Sequence, residues 1–178
     1  MTITLGFEDG TLRIESDRES DPDLDSLPSV EADPRSETAR APAHHYAAIR
    51  DVLREVDADV DDTVLDTEPV SLATSYELRE YQQDALDAWL DSNRRGVLEL
   101  PTGAGKTVIA LAAMAVCDEA TLVVVPTIDL LEQWQRELET EFDTPIGRLG
   151  GGEQRVESVT VATYDSAYLR ADELGDRF

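Results

Sequence analysis

The stretch "VLELPTGAGKTVIA" (97–110) decides how this chain is interpreted. It runs from a short apolar segment through two glycines into the helix-like segment "GKTVIALAAMAVC". Strand, loop and helix in this order form the setting of a phosphate-binding loop, because backbone N–H groups at a helix N-terminus attract anions. The strict pattern G-x-x-x-x-G-K-[ST] requires a glycine where Leu100 stands. The sequence therefore raises the question of whether the loop still binds a nucleotide.

The remaining loop residues supply what phosphate binding requires. Gly103 and Gly105 permit unusual backbone dihedrals and a close approach of phosphate oxygens. Lys106 is predicted to reach the β- and γ-phosphates, and the Thr107 hydroxyl to bind Mg²⁺, as the two catalytic residues. A glycine-containing turn without a ligand is the alternative. We predict an ATP and Mg²⁺ site formed by Pro101, Thr102, Gly103, Ala104, Gly105, Lys106 and Thr107.

The charge balance narrows the class of protein. The 178 residues include 39 acidic and 15 basic ones, for a net charge of −24 at pH 7. Every basic residue except Lys106 is an arginine, which indicates that an ammonium group is needed there. The acidic excess argues against loose adhesion to DNA but leaves room for a small basic groove. Such a surface is typical of proteins that work in very high salt, where charge repulsion is screened; an ordinary acidic protein is the alternative.

Cysteine content and hydropathy indicate a cytoplasmic protein without a membrane partner. Cys117 is the single cysteine of the sequence, so a disulfide framework is excluded. The N-terminus lacks the basic start and apolar core of a signal peptide. The longest apolar run, 108–117, is too short to span a bilayer.

The first part of the chain, 1–70, is predicted to be a small α+β domain. "TITLGF" and "TLRIE" flank Asp9-Gly10, a strong hairpin signal. Residues 16–42 are expected to be loop-rich, and 57–75 are acidic and lack periodicity. The segment 45–56 is predicted to be helical. Its inward face is expected to carry Tyr46, Ile49, Val52, Leu53 and Val56.

The second part, 71–178, alternates helical and strand-like segments. Helices are predicted over 76–93, 105–117 and 129–142, and strands over 96–100, 121–126 and 158–164. This alternation is typical of a parallel α/β sheet. The inward helical residues are predicted to be Leu78, Tyr81, Ala85, Trp89, Leu130, Leu131, Trp134 and Leu138.

Several motifs resemble those of superfamily 2 helicases and translocases. "PTGAGKT" resembles their motif I, in which the first glycine of the strict pattern is commonly absent. "LREYQQDAL" (78–86) resembles their adenine-reading Q motif. The resemblance implies that the Gln82 amide binds the adenine edge and that Arg79 flanks the base. A solvated helix face is the alternative interpretation of these two residues.

Three later segments resemble the DNA-contacting motifs of the same superfamily. "VVVPTIDLLEQW" (123–134) resembles motif Ia, "GRLGGGE" (147–153) motif Ib and "VTVATYDS" (159–166) motif Ic. In such motifs, hydroxyls and helix N-terminal amides hold the nucleic-acid backbone. Trp134 is expected to pack in the core rather than stack on a base. The resemblance implies DNA contacts by Thr127, Gly151, Thr163 and Tyr164.

The sequences of these motifs are similar to those of the archaeal, specifically haloarchaeal, relatives of the xeroderma pigmentosum group B DNA helicase. "FEDGTLRI" and "DPRSETARAPAHHY" also resemble the small damage-recognition domain that precedes the motor in that family. The second stretch has an alternative interpretation, a loop in which Arg35 or Arg40 pairs with nearby acids. The resemblance implies a RecA-like sheet and an ATP-dependent DNA helicase or translocase of DNA repair or transcription opening.

The same resemblance implies an incomplete first motor domain, truncated before the Walker B motif. No strand ending in the expected D-E-x-H box occurs: Asp118-Glu119 ends a helix, and Asp172-Glu173 follows no strand. We therefore expect these 178 residues to bind ATP without turning it over. DNA is the expected partner, together with a chain supplying the rest of the motor or a nuclease. The alternatives are a non-catalytic DNA- or partner-binding fragment and a restriction-type translocase subunit.

Overall fold

The chain folds into two compact units, each described below by itself. One unit comprises Met1–Thr67 and Arg170–Phe178, and the other comprises Glu68–Leu169. The computed structural model describes residues 2–16, 27–34, 36, 38–64, 66–175 and 177–178.

The first unit is built on a five-stranded sheet in the order β3-β4-β2-β1-β5. All neighbouring strands are antiparallel except β1 and β5, which are parallel. A short 3₁₀ turn, Ala43–His45, leads into helix α1. The elements are β1 (Thr2–Glu8), β2 (Thr11–Ser16), β3 (Glu31–Ala32), β4 (Ala39–Pro42), α1 (Tyr46–Glu55), β5 (Asp59–Asp62) and α6 (Ala171–Gly175).

The predicted hairpin is confirmed. Glu8 pairs with Thr11 across a two-residue turn, and both Asp9 and Gly10 have positive φ. Positive φ at both turn residues matches the twist of the flanking strands. Because side chains alternate along a strand, one face of the hairpin is fully buried. Its buried residues are Ile3, Leu5, Leu12 and Ile14.

Helix α1 covers this apolar face, as its sequence predicts. Ile49 and Leu53 are buried one turn apart, and Tyr46 and Val52 pack at the edge of the same core. The prediction for Val56 was wrong: the residue lies just beyond the helix and its side chain is 50% exposed.

Three strands of this unit lie where no strand was predicted. Part of the loop-rich interval 16–42 forms β3 and β4, whereas 17–26, Arg35 and Glu37 lie outside the described residues. The acidic segment after α1 forms β5 beside β1. Both β3 and β5 are edge strands, which are held by backbone pairing and carry polar side chains without cost. The Arg40 guanidinium pairs with Asp33 and Glu8, as the alternative interpretation of this stretch expects.

The second unit contains a four-stranded sheet in the order β6-β9-β7-β8. The first three strands are parallel, and β8 is antiparallel to β7. The predicted α/β class is confirmed. The elements are α2 (Glu80–Asp91), α3 (Lys106–Cys117), β6 (Thr121–Val125), α4 (Ile128–Glu141), β7 (Ile146–Gly150), β8 (Glu153–Arg155), β9 (Val159–Thr163) and α5 (Tyr164–Leu169).

The core of this unit lies between the parallel strands and helices α3 and α4. Leu131 and Leu138 are fully buried on α4, and Trp134 packs against the same cluster, as predicted. Leu130, predicted to face inward, is instead 37% exposed. Tyr81 was also predicted to face inward but is largely exposed on α2, where Gln82 and Leu86 are the buried residues.

Two further predictions about local structure were wrong. Residues 96–100, predicted as a strand, form a loop that belongs to no sheet, and Val97 is 96% exposed. A strand requires a partner for its backbone groups, and no described strand lies beside this segment. Helix α2 begins at Glu80 rather than at residue 76, because the Arg79 N–H donates to the Gln82 side chain and caps the helix there. Among the described residues, none of the helices is long and apolar enough to cross a bilayer.

The segment that leads into α2 is fastened to the end of α4 by Glu141. The Glu141 carboxylate accepts hydrogen bonds from the Thr74 hydroxyl (2.7 Å) and from the Ser75 backbone N–H and hydroxyl. Partial burial raises the pKa of Glu141, but these hydrogen bonds outweigh burial and hold the pKa below its ordinary value.

Replacing Glu141 by Gln tests this contact. A carboxyl group whose pKa is lowered on folding stabilises the protein above its unfolded pKa, and that contribution is lost as pH falls through the folded pKa. We expect Glu141→Gln to lower the free energy of unfolding by about 1 kcal/mol at pH 7, a value reduced by solvent screening. The difference should disappear once the pH falls well below the lowered pKa of Glu141. Urea unfolding at several pH values measures it.

Glu137→Gln, on the same helix, is the matched control, since the Glu137 carboxylate makes no hydrogen bond or ion pair with any described residue. A Glu141→Gln effect that persists unchanged at low pH would contradict the proposed electrostatic contribution.

Candidate phosphate loop and nucleic-acid edge

The residues predicted to bind phosphate form a turn between the loop segment 96–100 and α3. The Ala104 N–H donates to the Pro101 carbonyl (3.2 Å), which closes the turn. Gly103 (φ 82°) and Gly105 (φ 80°) both lie in the left-handed region, where a side chain is strained. Gly105 is the residue immediately before α3. The first amides of α3 are therefore available at the loop, with the positive end of the helix dipole behind them.

A second reason for glycine at position 105 is the close approach of Gln82. A Cβ atom on residue 105 would lie 2.5 Å from Gln82 Nε2. The Gln82 side chain is 5% exposed and donates a hydrogen bond to the Ala104 carbonyl (3.0 Å). Its carbonyl oxygen accepts from the Arg79 N–H (2.9 Å). Gln82 thus connects the start of α2 to the loop, and keeps one further amide hydrogen and one lone pair.

Tyr81 makes a contact that the sequence did not indicate. Its hydroxyl donates to the same Ala104 carbonyl (3.0 Å) and lies 3.5 Å from a guanidinium nitrogen of Arg79. The hydroxyl and the Gln82 amide together fix the orientation of one loop peptide. The sequence "REYQ" contained a signal for this contact, because Tyr81 is the neighbour of Gln82 on the first turn of α2. Side chains on the first turn of a helix lie near the same helix end and can reach the same loop.

Lys106 folds its ammonium group back onto the start of the loop. Its Nζ atom donates to the carbonyl oxygens of Leu100 (2.8 Å) and Pro101 (3.2 Å). An ammonium group has three donors, so one remains. The side chain is solvent-exposed. The only ammonium side chain of the protein is therefore available at the mouth of the loop.

Thr107 lies in the first turn of α3 and is half-buried. Its hydroxyl fits a Mg²⁺ ion held mainly by substrate phosphates and water, since Mg²⁺ keeps several waters and needs few protein ligands. Among the described residues no cluster of three acidic, His or Cys side chains is able to hold a metal. Asp118 accepts from the Leu72 N–H (2.7 Å) and Glu119 from Arg94 (2.8 Å), so both carboxylates are occupied in structural contacts.

The residues predicted to contact DNA follow the carboxyl ends of the parallel strands. Thr127 comes after β6 and caps α4, its hydroxyl accepting from the Leu130 N–H (3.3 Å). Gly151 and Gly152, both with positive φ, form the two-residue turn between β7 and β8. Carboxyl ends of parallel strands meet at one edge of a sheet, which is the usual place for a ligand in α/β folds.

Thr163 ends the strand that lies between the other two. It pairs with Val125 of β6, and a Cβ on Gly150 would lie 3.0 Å from its methyl group. Its hydroxyl donates to Ser166 Oγ (2.9 Å), and the following residue, Tyr164, is 59% exposed. The structure thus brings Thr127, Gly151, Thr163 and Tyr164 to one edge. We name this surface the strand-end edge.

One residue beside this edge was missed. The Arg148 guanidinium donates to Gln135 (2.9 Å) and faces the carboxylates of Glu132 and Glu153. It lies 3.1 Å from where a Cβ on Gly151 would be. Its positive charge is thus partly neutralised by the protein. None of the hydrogen bonds among described residues joins the phosphate loop to the strand-end edge, and the ligand roles predicted for both groups stay predictions.

Two known families match successive parts of the chain. Residues 75–178 match the family described as type III restriction enzyme, res subunit. Residues 5–64 match the xeroderma pigmentosum group B helicase damage recognition domain.

Two relatives are similar to this chain over most of its length. The chain is 45% identical over 137 residues to the DNA 3'-5' translocase XPB2 of Sulfurisphaera tokodaii, covering 76% of this chain and 31% of the relative. It is 40% identical over 130 residues to a putative DNA 3'-5' helicase Rad25 of Halobacterium salinarum, covering 70% and 22%. The chain thus spans less than a third of either relative's length.

Among solved structures, the UvsW helicase of bacteriophage T4 is similar at a TM-score of 0.46 with 20% identity, covering 94% of this chain and 76% of that one. The family matches carry the assignment: the chain belongs to the family of the type III restriction enzyme res subunit and, among superfamily 2 helicases, to the XPB-like group.

Proposed function

We propose that this chain carries the ATP-binding portion of an ATP-dependent DNA helicase or translocase that acts in DNA repair or transcription opening. The observation that carries the proposal is the loop geometry. Two glycines in the left-handed backbone region, the N-terminus of α3 and the exposed ammonium group of Lys106 meet at one turn. These are the donors that a triphosphate requires. Residues 71–178 are the ATP-binding part, and 1–70 the damage-recognition part.

In the proposed site, phosphate oxygens replace the carbonyls that Lys106 now contacts. The third N–H of the ammonium group makes the first contact, and the side chain then turns away from Leu100 and Pro101. Residues 101–105 contribute backbone N–H groups where the peptides permit, and Thr107 contributes a hydroxyl to Mg²⁺. Gln82 and Arg79 act at the adenine, using the amide hydrogen and lone pair that Gln82 does not spend on the protein.

The proposed DNA contact is the strand-end edge. Its amides and hydroxyls at the N-terminus of α4 suit phosphate oxygens. A net charge of −24 requires such contacts to be local, because the surface as a whole repels DNA. The expected macromolecular partners are DNA and a separate chain that supplies the rest of the motor, or a nuclease.

Two other functions use the same residues differently. A non-catalytic fragment would bind DNA or a partner through residues 1–70 with no effect of nucleotide. The match of residues 75–178 to the type III restriction enzyme, res subunit, favours a restriction-type translocase subunit. The match of residues 5–64 to the damage recognition domain favours an XPB-like helicase. DNA affinity measured with and without ATP distinguishes the non-catalytic fragment from the motor. The affinity of the non-catalytic fragment would not change when ATP is added.

The acidic, lysine-poor composition supports a protein of the cytoplasm of a salt-accumulating organism. At 1 M salt the Debye length is about 3 Å, so repulsion between surface carboxylates is weak. The haloarchaeal relative is consistent with this proposal.

Replacing Lys106 tests the nucleotide site. We expect Mg²⁺-ATP to bind weakly to the 178-residue chain and Lys106→Ala to weaken binding by at least about tenfold, because a charge-assisted contact to phosphate is lost. Isothermal titration measures both. Arg136→Ala, which removes an exposed cation from α4, is the matched control. Equal affinity of the wild type and Lys106→Ala would exclude the site.

Turnover is a separate prediction. The 178 residues contain no acidic box after a strand and no second motor domain, so nothing orients the attacking water or supplies an arginine finger. We expect a coupled assay with DNA to give no ATP hydrolysis above background. A rate that vanishes in Lys106→Ala would show that the chain is catalytically complete.

The dependence of stability on salt tests the proposal that the protein works at high salt concentration. We expect the free energy of unfolding to rise between about 0.15 M and 2 M KCl as repulsion is screened. The variant Asp57→Asn/Asp59→Asn/Asp61→Asn removes three exposed carboxylates near β5 and should flatten this dependence. A stability that is independent of KCl, or an unchanged slope in the triple variant, would contradict the proposal.

A further inference from the structure

Beside the strand-end edge lies a positive charge that the protein itself covers. Arg148 belongs to β7, and its side chain is only 14% exposed. The carboxylate of Glu132, on α4, lies 3.7 Å from Arg148 Nη2, and that of Glu153, on β8, lies 3.5 Å from Nε. Hydrogen bonds of this kind span about 2.7 to 3.2 Å. The two carboxylates therefore attract the guanidinium without forming hydrogen bonds to it.

The guanidinium of Arg148 is poorly satisfied for a group so little exposed. It carries five N–H donors, and its one hydrogen bond to a described residue runs from Nη1 to Gln135 Oε1 (2.9 Å). The Nε atom is buried and has no hydrogen-bond partner in the described part of the chain. A cation that is withdrawn from water without hydrogen bonds is costly. Arg148 thus keeps donors for a further acceptor.

Gly151 leaves a path to this guanidinium. A Cβ atom on residue 151 would lie 3.1 Å from Arg148 Nη2, which is tighter than an ordinary van der Waals contact. Gly151 is exposed, so the space that a side chain would fill is open to solvent and borders the guanidinium. An acceptor that approaches the turn over Gly151 therefore comes within reach of Nη2.

A phosphate group fits this place better than other acceptors do. The planar guanidinium matches two phosphate oxygens at once. The side chains of Glu132 and Glu153 are 49% and 54% exposed, so both carboxylates can turn into water, and exposed ion pairs of this kind contribute little. A neutral ligand would not displace them, because it offers the guanidinium no charge in exchange.

The net charge of the protein indicates which phosphate can displace the two carboxylates. A chain with a net charge of −24 repels a free anion, so the phosphate must be held by other contacts as well. The hydroxyls of Thr127 and Thr163 offer such contacts to a DNA strand at the same edge.

We propose that Arg148 is a masked phosphate ligand of the strand-end edge. In the free chain Glu132 and Glu153 hold the guanidinium by attraction, and a DNA phosphate beside Gly151 takes their place. The inference rests on the DNA contact proposed for this edge. It adds the residue that supplies the positive charge and the two residues that compete for it. Because binding must displace both carboxylates, the edge favours a strand that is held at several points over a single anion.

A thermodynamic cycle on the 178-residue chain tests this exchange. The variants are Arg148→Gln, the pair Glu132→Gln/Glu153→Gln, and all three changes together. Fluorescence anisotropy of a labelled single-stranded DNA of about twelve nucleotides measures affinity in about 0.3 M KCl. We expect the glutamate pair to tighten binding by at least about fivefold and Arg148→Gln to weaken it by a similar factor. With Arg148→Gln present, the glutamate pair should change affinity by less than about twofold.

The variant Asp129→Asn/Asp165→Asn is the matched control for the glutamate pair. It removes the same charge from exposed side chains in the first turns of α4 and α5. Neither carboxylate forms an ion pair with Arg148. We expect it to tighten binding by less than about twofold, because exposed charges are screened at this salt concentration. Both pairs concern exposed side chains, so their comparison does not depend on the stability of Arg148→Gln.

Two kinds of result would overturn the masked ligand alone. Tightening by the glutamate pair that equals the control, or that persists in Arg148→Gln, would show that these carboxylates merely repel DNA. Wild-type affinity in Arg148→Gln would make the guanidinium a structural group.

Tyr164→Ala separates these results from a failure of the proposed DNA contact. Tyr164 is 59% exposed at the same edge, and we expect its removal to weaken DNA binding by at least about threefold. Unchanged affinity in Tyr164→Ala, or no DNA binding by the wild type, would show that DNA is not held at this edge. The proposed DNA contact would then fail together with the inference.

Discussion

The candidate site depends on how one loop peptide is held. The carbonyl of Ala104 accepts hydrogen bonds from Tyr81 and from Gln82, two neighbours on the first turn of α2. Each bond contributes about 1 kcal/mol at most in net terms, but together they fix the peptide plane from outside the loop. Gly105 must lack a Cβ for Gln82 to reach this position. The position of the loop therefore depends on three features together: helix α2, the loop glycines and helix α3.

This arrangement explains why the missing first glycine of the strict pattern matters little. Leu100 belongs to the cluster of α2 and α3, where its side chain packs with partly buried apolar residues. Its carbonyl receives the Lys106 ammonium group. The free loop is thus satisfied internally, with its cation held by carbonyl oxygens that a phosphate would replace. A glycine at this position would remove the apolar packing without adding a donor to the loop.

Local signals in the sequence predicted local structure well. The Asp9-Gly10 turn, the strand β6 and the inward face of α4 are each determined by a few adjacent residues, and the structure confirms them apart from the exposed Leu130. Strand β5 was missed because an edge strand is held by backbone pairing with β1, which an acidic side-chain pattern conceals. The segment 96–100 has strand composition but no partner, and composition alone does not reveal partners. The burial of Gln82 and its bond to the loop were not predicted, because they depend on a residue 22 positions away.

The central claim is that residues 101–107 form a phosphate cradle, and two-dimensional amide NMR of the ¹⁵N-labelled chain tests it most directly. We predict that titration with Mg²⁺-ATP shifts the amide signals of Gly103, Ala104, Gly105, Lys106 and Thr107 first and most, and that inorganic triphosphate reproduces these shifts but not those at Gln82. Saturating nucleotide that leaves these five signals in place, or shifts signals elsewhere in their stead, would contradict the account.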